Sequence, residues 1–174
     1  LVTVFVKQFF HRYATPGFSF STPAEMLKEF NKSFHNVKFG EKYLTLFVGI
    51  VNTSNYEVTW SFAGPNTTPM ILSQDGITLL ESKALPVGWF ENMSWQNYKF
   101  TLPENSTLFL YSDAAIEIRN KQEDMLDIDG LKKILVKINF KDNPEFYAIV
   151  NELLEYSQRI SFDDDLTFFI LRRS

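Results

Sequence analysis

The sequence predicts an α+β protein, in which helices come first, short strands follow, and helices and one last strand close the chain. Two observations carry this prediction. Apolar residues recur at helical spacing near the beginning of the chain and again near its end. Between these regions, short β-branched and aromatic runs alternate with polar turn residues, as strands and turns do. There is no internal repeat and no low-complexity linker, so we expect residues 1–174 to form a single domain.

Two helices are predicted at the beginning of the chain. In residues 1–13, the spacing of Phe9, Phe10 and Tyr13 favours a helix over the strand that the β-branched residues would allow. The second helix starts at Thr22-Pro-Ala-Glu25, a capping box with proline at the first helical position. Its apolar residues fall on one face of the helix: Met26, Leu27, Phe30 and Phe34.

The strands are predicted from β-rich runs that flank turn residues. This pattern gives three hairpins: 43–51 with 56–62, 70–72 with 77–80, and 95–102 with 107–111. Helical stretches return at 131–136 and 144–156. The chain closes with an apolar run at 166–171, which we expect to be a strand buried on both faces.

Composition and charge exclude several classes of function. A net charge of −4 argues against binding to nucleic acid or to an anionic membrane surface, so we expect neither partner. No apolar run reaches the roughly 18 residues that a membrane span needs. The chain has no cysteine, which excludes thiol catalysis, disulfides and cysteine metal sites. Because no signal-peptide pattern is present, we expect a cytoplasmic protein.

The chemistry available to the chain points to carboxylates. His11 and His35 are the only histidines, and no G-x-S-x-G segment supports a serine triad around either of them. Asp113 follows the apolar run 107–111, and a carboxylate at a strand end suits a hard cation that wants oxygen ligands. The alternative is that Ser112 or Asp113 caps the beginning of a helix.

Three adjacent aspartates, Asp163, Asp164 and Asp165, form a second candidate site. They repel one another and directly precede the most apolar run of the chain, so stability gives no reason for their presence. A divalent cation would remove this repulsion, because its charge dominates the local field. The alternative is an acidic turn that is merely solvated.

These segments resemble a known family. Residues 107–117 resemble the "L-L-L-Y-T-D-G-[VIL]-x-E" segment of SpoIIE/RsbU-like bacterial phosphatases, which belong to the metal-dependent PPM family of serine/threonine phosphatases. Residues 163–172 are similar to the terminal "D-D-D-[IL]-T-x-x-x-x-[RK]" strand of that family. Three weaker matches precede them: 22–31 with "S-P-A-E-[VM]-L-x-x-[LF]-N", 62–69 with "A-x-A-G-H-x-P", and 85–90 with "L-P-L-G-[VIL]-F". The matches occur in order and cover essentially the whole chain.

The resemblance implies a fold and a mechanism. The implied fold is an αββα sandwich of two mostly antiparallel sheets flanked by helices. The implied cofactor is a pair of Mn²⁺ or Mg²⁺ ions with a bridging hydroxide that attacks a phosphoserine or phosphothreonine. Asp113 and Asp164 match the metal positions of the family, and Asp163 and Asp165 would support Asp164 from outside the coordination shell.

The resemblance also implies partners. Substrates of the family are phosphorylated STAS-type anti-sigma antagonist proteins, in the partner-switching control of bacterial transcription. An upstream receiver or sensor domain would regulate the phosphatase. A homodimer through the first two helices is a further expectation, because Phe5, Phe9 and Phe10 crowd the first of them. The alternative is that these rings are simply buried against the sheet.

Three departures from the family pattern leave an alternative open. The family segments "G-D-[FY]-[YF]-D" and "D-V-[SM]-G-H-G", which supply most metal ligands, have no counterpart, and we expect them upstream of Leu1 because the chain begins abruptly. Ala114 replaces a glycine, which would be strained if that position needs a positive φ. Pro65 replaces a histidine. The alternative is a degenerate PPM-fold module that docks a partner-switching protein without turnover; an unrelated α+β protein would require five coincidental motifs.

Overall fold

Two antiparallel sheets, each in a unit with two helices, make up the part of the chain that the structure describes. This computed structural model describes residues 2–13, 22–37, 40, 42–64, 67–82, 84–140, 145–159 and 161–174. One compact unit consists of Leu1–Pro65 and Ser82–Thr101, and the other of Asn66–Glu81 and Leu102–Ser174. The predicted α+β class is confirmed, whereas the single domain over residues 1–174 stays a prediction.

The elements follow one another in nearly the predicted order. The helices are α1 (Val2–Tyr13), α2 (Pro23–Val37), α3 (Asp127–Lys137) and α4 (Phe146–Ser157). The strands are β1 (Leu46–Val51), β2 (Glu57–Ala63), β3 (Met70–Ser73), β4 (Gly76–Leu79), β5 (Tyr98–Thr101), β6 (Ser106–Tyr111) and β7 (Phe168–Arg173). A 3-10 turn, Asp113–Ala115, follows β6. None of the described helices combines the length and apolar character that crossing a bilayer requires.

The first unit is built on the apolar stripe of α2. Leu27, Phe30 and Phe34 are almost completely buried, and the helix packs against β1 and β2. Burial of each such side chain stabilises the fold by about 1.5–3 kcal/mol. The helix begins with the predicted cap, since the Glu25 amide donates to Thr22 Oγ1 at 3.3 Å. The strands lie in the order β1-β2-β5, and the predicted hairpin of β1 and β2 is confirmed.

Helix α1 packs its phenylalanines onto α2. The ring centroid of Phe30 lies 4.9 Å from that of Phe9, 5.6 Å from that of Phe5 and 5.5 Å from that of Phe10. Such aromatic pairs contribute about 0.5–1.5 kcal/mol beyond the area that they bury. The crowded rings of α1 are therefore used inside the unit, on α2. Val4 is the large apolar side chain of α1 that stays exposed, at 55%.

The second unit has the strand order β4-β3-β6-β7, with every neighbouring pair antiparallel. The predicted hairpin of β3 and β4 is confirmed. Helices α3 and α4 share one core with this sheet. Its fully buried members include residues of β3, β6, α3 and α4: Met70, Phe109, Leu131, Leu135, Ile149 and Leu153.

The third predicted hairpin is wrong. β5 pairs with β2 in the first unit, whereas β6 pairs with β3 and β7 in the second. Turn residues in 103–105 mark a change of direction, but they carry no information about which strand becomes the partner. That choice depends on contacts far apart in sequence, such as the Trp60 and Tyr98 rings, whose centroids lie 4.7 Å apart.

The prediction that the last strand is buried on both faces is also wrong. β7 is the terminal strand in the order of its sheet, and its residues alternate between half-buried and exposed. Phe168 and Ile170 pack against the core, whereas Phe169 is 53% exposed. The strand also begins at Phe168, two residues later than expected. An uninterrupted apolar run suggests burial on both faces, but it cannot show whether a second neighbouring strand exists.

Candidate active site

The hydroxyl of Ser112 joins the end of β6 to the segment that precedes β7. It donates to the carbonyl oxygen of Asp165 at 3.1 Å and accepts from the amide of Thr167 at 3.0 Å. The Ser112 amide also donates to the carbonyl oxygen of Thr167 at 2.9 Å. Because β6 and β7 are antiparallel, the residues that follow Tyr111 and those that precede Phe168 lie at the same end of the sheet.

Asp113 is the first residue of the 3-10 turn that follows β6, and it is half-buried. Its Oδ1 accepts a hydrogen bond from the amide of Ala114 at 3.1 Å. Of the two residues considered for a helix cap, Ser112 lies at the cap position of this short turn but makes no side-chain cap bond, because its hydroxyl is used across the sheet. Asp113 follows the cap position, and its Oδ1 binds the next amide of the turn.

Ala114, which replaces a glycine of the family pattern, is not strained. It is buried in the 3-10 turn and is not among the residues with positive φ. Alanine adopts this backbone without cost. The departure at Ala114 therefore gives no reason to expect a degraded site. Pro65, the other substituted position, lies outside the described residues.

The three aspartates before β7 are exposed, and each has a different environment. Asp163 forms an ion pair with Arg159 through Oδ2. Asp164 Oδ1 accepts from the amide of Asp165 at 2.7 Å. The carbonyl of Asp165 accepts from Ser112. The acidic turn is thus held by specific bonds, in addition to being solvated.

A surface cleft of about 140 Å³ lies beside this turn. Its lining includes Ala114, Glu117, Arg119, Arg159, Asp163 and Asp164. The two arginines were not predicted from the sequence. The available signal was weak, because Arg159 lies four residues before Asp163, a spacing that is informative only inside a helix. The structure shows instead that a loop brings them together.

Tyr111, the last residue of β6, packs in the core of the second unit directly before Ser112. Its side chain is buried, and its hydroxyl oxygen accepts from the amide of Thr68 at 3.3 Å. Burial raises the pKa of the Tyr111 phenol, and the hydrogen bond from Thr68 opposes that rise. The phenol therefore stays protonated throughout the neutral range.

The carboxylate side chains of Asp113 and Asp164 are ligands of the kind that the metals of this family require. Carboxylate oxygens suit Mg²⁺ and Mn²⁺, and in the described residues Oδ2 of Asp113 and of Asp164 accepts no hydrogen bond. Among the same residues, however, no group of three or more His, Cys, Asp or Glu side chains could hold a metal ion. Asp113 and Asp164 therefore offer oxygens of the right kind, but among the described residues they do not make a complete coordination shell.

The motif segments 22–31 and 85–90 lie in the first unit, and Asn31 has a structural role there. The buried amide of Asn31 donates to the carbonyl oxygens of Phe90 and Glu91 at 2.9 and 2.8 Å, and it accepts from the Gly88 amide at 2.8 Å. This side chain joins the segments 22–31 and 85–90, which match the family separately. His35 lies in the last turn of α2.

Comparisons with known proteins agree with this fold. The sequence matches the family described as Stage II sporulation protein E (SpoIIE) over residues 1–174. The phosphoserine phosphatase RsbP of Bacillus subtilis (strain 168) is 25% identical over 123 residues, which are 67% of this chain and 29% of RsbP. The chain therefore spans less than a third of the length of that relative.

Two solved structures share the fold at low sequence identity. The SiaA-PP2C domain of Pseudomonas aeruginosa has a TM-score of 0.78 and 15% identity, over 95% of this chain and 66% of that one. The PP2C phosphatase domain of SpoIIE from Bacillus subtilis was solved with a fragment of its regulatory domain. It has a TM-score of 0.77 and 18% identity, over 98% of this chain and 48% of that one. The predicted PPM-like arrangement of two antiparallel sheets with flanking helices is confirmed. With a family match along its full length, the chain belongs to the SpoIIE family.

Proposed function

We propose that this chain acts as a metal-dependent protein phosphatase that hydrolyses phosphoserine or phosphothreonine in bacterial signalling. The observation that carries the proposal is the Ser112 hydroxyl, which ties the segment after β6 to the acidic segment before β7. Asp113 and Asp164, which match the metal positions of the family, consequently lie at one end of one sheet. The phosphatase relatives RsbP and SpoIIE support the same activity.

In this proposal Asp113 and Asp164 hold Mn²⁺ or Mg²⁺, with two ions in the complete domain. A bound ion of this kind supplies a nucleophilic water at neutral pH and offsets the charge of the phosphoryl oxygens. The chain itself orients the two carboxylates. The Ala114 amide holds one oxygen of Asp113, and the Asp165 amide holds one oxygen of Asp164, which leaves the second oxygen of each for the cation.

The substrate and the control of the enzyme follow from the family resemblance. We propose a phosphorylated STAS-type anti-sigma antagonist as substrate, in partner-switching signalling in the cytoplasm. We also propose that an upstream receiver or sensor domain regulates the activity. A homodimer through the first two helices completes the set of proposed partners.

A second candidate function is a PPM-fold module that docks its partner without turnover. The observation that favours it is the lack of a group of three metal-binding side chains among the described residues. The unstrained backbone at Ala114 argues against it. The two functions differ in turnover, which decides between them.

Replacement of Asp113 or Asp164 by Asn tests the proposal. Each change keeps the shape and removes the charge, so we expect dephosphorylation of a phosphoserine protein by the full-length protein with Mn²⁺ to fall by at least about 100-fold. The free energy of unfolding should change little, because Asp164 is exposed. Asp75→Asn, in the exposed turn between β3 and β4, is the matched control. Unchanged turnover at saturating Mn²⁺ would show that these aspartates are not ligands, and absence of turnover in the unsubstituted protein would favour the docking module.

A further inference from the structure

The three adjacent aspartates are not equivalent, because Arg159 pairs with only one of them. We propose that Arg159 is a positioning residue, whose ion pair withholds Asp163 from the cation and leaves Asp164 as the carboxylate that binds it. The inference rests on the proposed function, since it presupposes a divalent cation at Asp113 and Asp164. It concerns how this chain selects one ligand from three neighbouring carboxylates.

The backbone of Arg159 is fixed by the end of α4. The helix ends at Ser157, which is 2% exposed, and Gln158 follows in the left-handed conformation with a φ of 53°. The Ser157 hydroxyl donates to the carbonyl oxygen of Leu154 at 3.0 Å and accepts from the amide of Arg159 at 3.2 Å. The arginine side chain therefore starts from a defined position at the edge of the cleft.

The guanidinium group of Arg159 lies between two carboxylates. Its Nη1 donates to Asp163 Oδ2, and its Nη2 lies 3.7 Å from Oε1 of Glu123. The loop that carries Glu123 is itself held, because Arg119 Nη1 donates to the Glu123 carbonyl oxygen at 2.8 Å. Arginine keeps its charge at every physiological pH and offers a rigid fork of donors. It therefore keeps a positive charge beside Oδ2 of Asp163.

Asp164 and Asp165 are constrained in other ways. The carboxylate of Asp164 is oriented by the amide of Asp165, and the carbonyl of Asp165 is anchored on Ser112. Asp163 is one residue from Asp164 and lines the same cleft, so without its partner it would be a competing ligand of the same chemical type. Arg159 removes this competition and also reduces the repulsion within the triplet.

The pair is exposed, which makes its role separable from stability. The side chains of Arg159 and Asp163 are 39% and 82% exposed, and an ion pair of this kind contributes little to the free energy of unfolding. Removing it should leave the thermal midpoint nearly unchanged. An effect on cation binding would therefore report on positioning.

Paramagnetic broadening by Mn²⁺ in NMR spectra of the full-length protein provides the test. The Mn²⁺ dissociation constant is obtained from the broadening of the amide signals of Ala114 and Asp165. It is measured with and without the Asp163→Asn change, first in the protein that keeps Arg159 and then in the Arg159→Ala variant. With Arg159 present, we expect Asp163→Asn to change the dissociation constant by less than about twofold. In the Arg159→Ala background, the same change should weaken binding by about fivefold or more, because Asp163 then takes part. Arg159→Lys should restore the small effect, since it keeps a cation beside Asp163.

Lys99→Ala is the matched control, because it removes the cation of another exposed ion pair, that with Glu57. It should leave Mn²⁺ binding unchanged. This inference alone would be overturned by two results together. Asp163→Asn would change the Mn²⁺ dissociation constant equally with and without Arg159, and Asp164→Asn would abolish the broadening. If Asp164→Asn leaves the broadening intact, or if Mn²⁺ broadens neither signal in any variant, the metal assignment of the proposed function fails together with the inference.

Discussion

The hydroxyl of Ser112 accepts a hydrogen bond from the amide of Thr167 at 3.0 Å, across 55 positions of sequence. The same hydroxyl donates to the carbonyl oxygen of Asp165. Beyond the β6–β7 ladder, this one small side chain therefore links the turn that carries Asp113 to the segment that carries Asp164.

Ser112→Ala removes both hydrogen bonds and leaves the Thr167 amide without this acceptor. We expect the free energy of unfolding to fall by about 1–2 kcal/mol, measured by urea denaturation. Mn²⁺ binding should weaken as well, because the two turns are no longer held together. Ser112→Thr keeps the hydroxyl and should retain both properties, and Ser94→Ala, at an exposed serine, is the neutral control. A stable Ser112→Ala variant with full Mn²⁺ affinity would contradict the role of this hydroxyl.

The helices were predictable from the sequence because their signals are local. The cap at Thr22 and the stripe of Leu27, Phe30 and Phe34 lie within four turns of chain, and they specify the beginning and the buried face of α2. The same holds for the tight turn before Gly76. Each of these features depends on neighbours in sequence, and each was found where it was expected.

Strand pairing and the contacts of the site were less accessible to sequence reasoning. β5 has an apolar pattern that fits any partner, and its choice of β2 depends on packing across about 40 residues. Likewise, resemblance to a family pointed to Asp113 and Asp164, but nothing in the sequence indicated that Ser112 would join their segments. Arg159 was missed for the same reason, since its contact with Glu123 joins two loops.

Gly88→Ala should destabilise the first unit strongly. Gly88 has a φ of +91°, and a Cβ there would lie 2.7 Å from the carbonyl oxygen of Lys42. Gly40 has a similar φ of +80°, and no atom of the described residues beyond its chain neighbours lies within 4 Å of its Cβ position, so Gly40→Ala is a matched control for backbone strain alone. We expect Gly40→Ala to cost about 1 kcal/mol and Gly88→Ala to cost at least about 2 kcal/mol more. Equal losses in urea denaturation would show that the close approach to Lys42 is relieved without cost.

Asn31→Leu tests the buried amide that joins α2 to the segment 85–90. The change keeps the branched shape and the number of heavy atoms of the side chain, and it leaves the Gly88 amide and the carbonyl oxygens of Phe90 and Glu91 without their partner. Because unsatisfied buried groups cost about 1–3 kcal/mol each, we expect a loss of about 2–4 kcal/mol in the free energy of unfolding. Asn92→Leu, at an exposed position, should be nearly neutral. If Asn31→Leu lowers the free energy of unfolding no more than Asn92→Leu does, water satisfies these groups in place of the Asn31 amide.

Val4→Glu tests the proposed homodimer. Phe5, Phe9 and Phe10 pack on α2, so a charge at any of them would unfold the unit and say nothing about association. Val4 is exposed, and a glutamate there would place a charge in any interface formed by this face of α1. We expect sedimentation velocity to show a dimer for the unsubstituted chain and a monomer with an unchanged thermal midpoint for Val4→Glu. A monomer at every concentration before substitution would remove the proposal.

Tyr111 should make the stability of the second unit sensitive to alkaline pH. Burial raises the pKa of its phenol in the folded state above the value of 10.0 of the free side chain. Between these two pKa values the folded state binds more protons than the unfolded state, so the free energy of unfolding falls as the pH rises through that window.

Tyr111→Phe removes this dependence. It should cost about 0.5–1.5 kcal/mol at pH 7, where the Thr68 amide loses its acceptor, and the difference from the unsubstituted chain should shrink above about pH 10. Tyr147→Phe, at a side chain that is 76% exposed, is the control and should leave the alkaline slope unchanged. Urea denaturation across this pH range measures all three chains, and a constant difference between Tyr111→Phe and the unsubstituted chain would show that Tyr111 ionises in the folded state as readily as in the unfolded one.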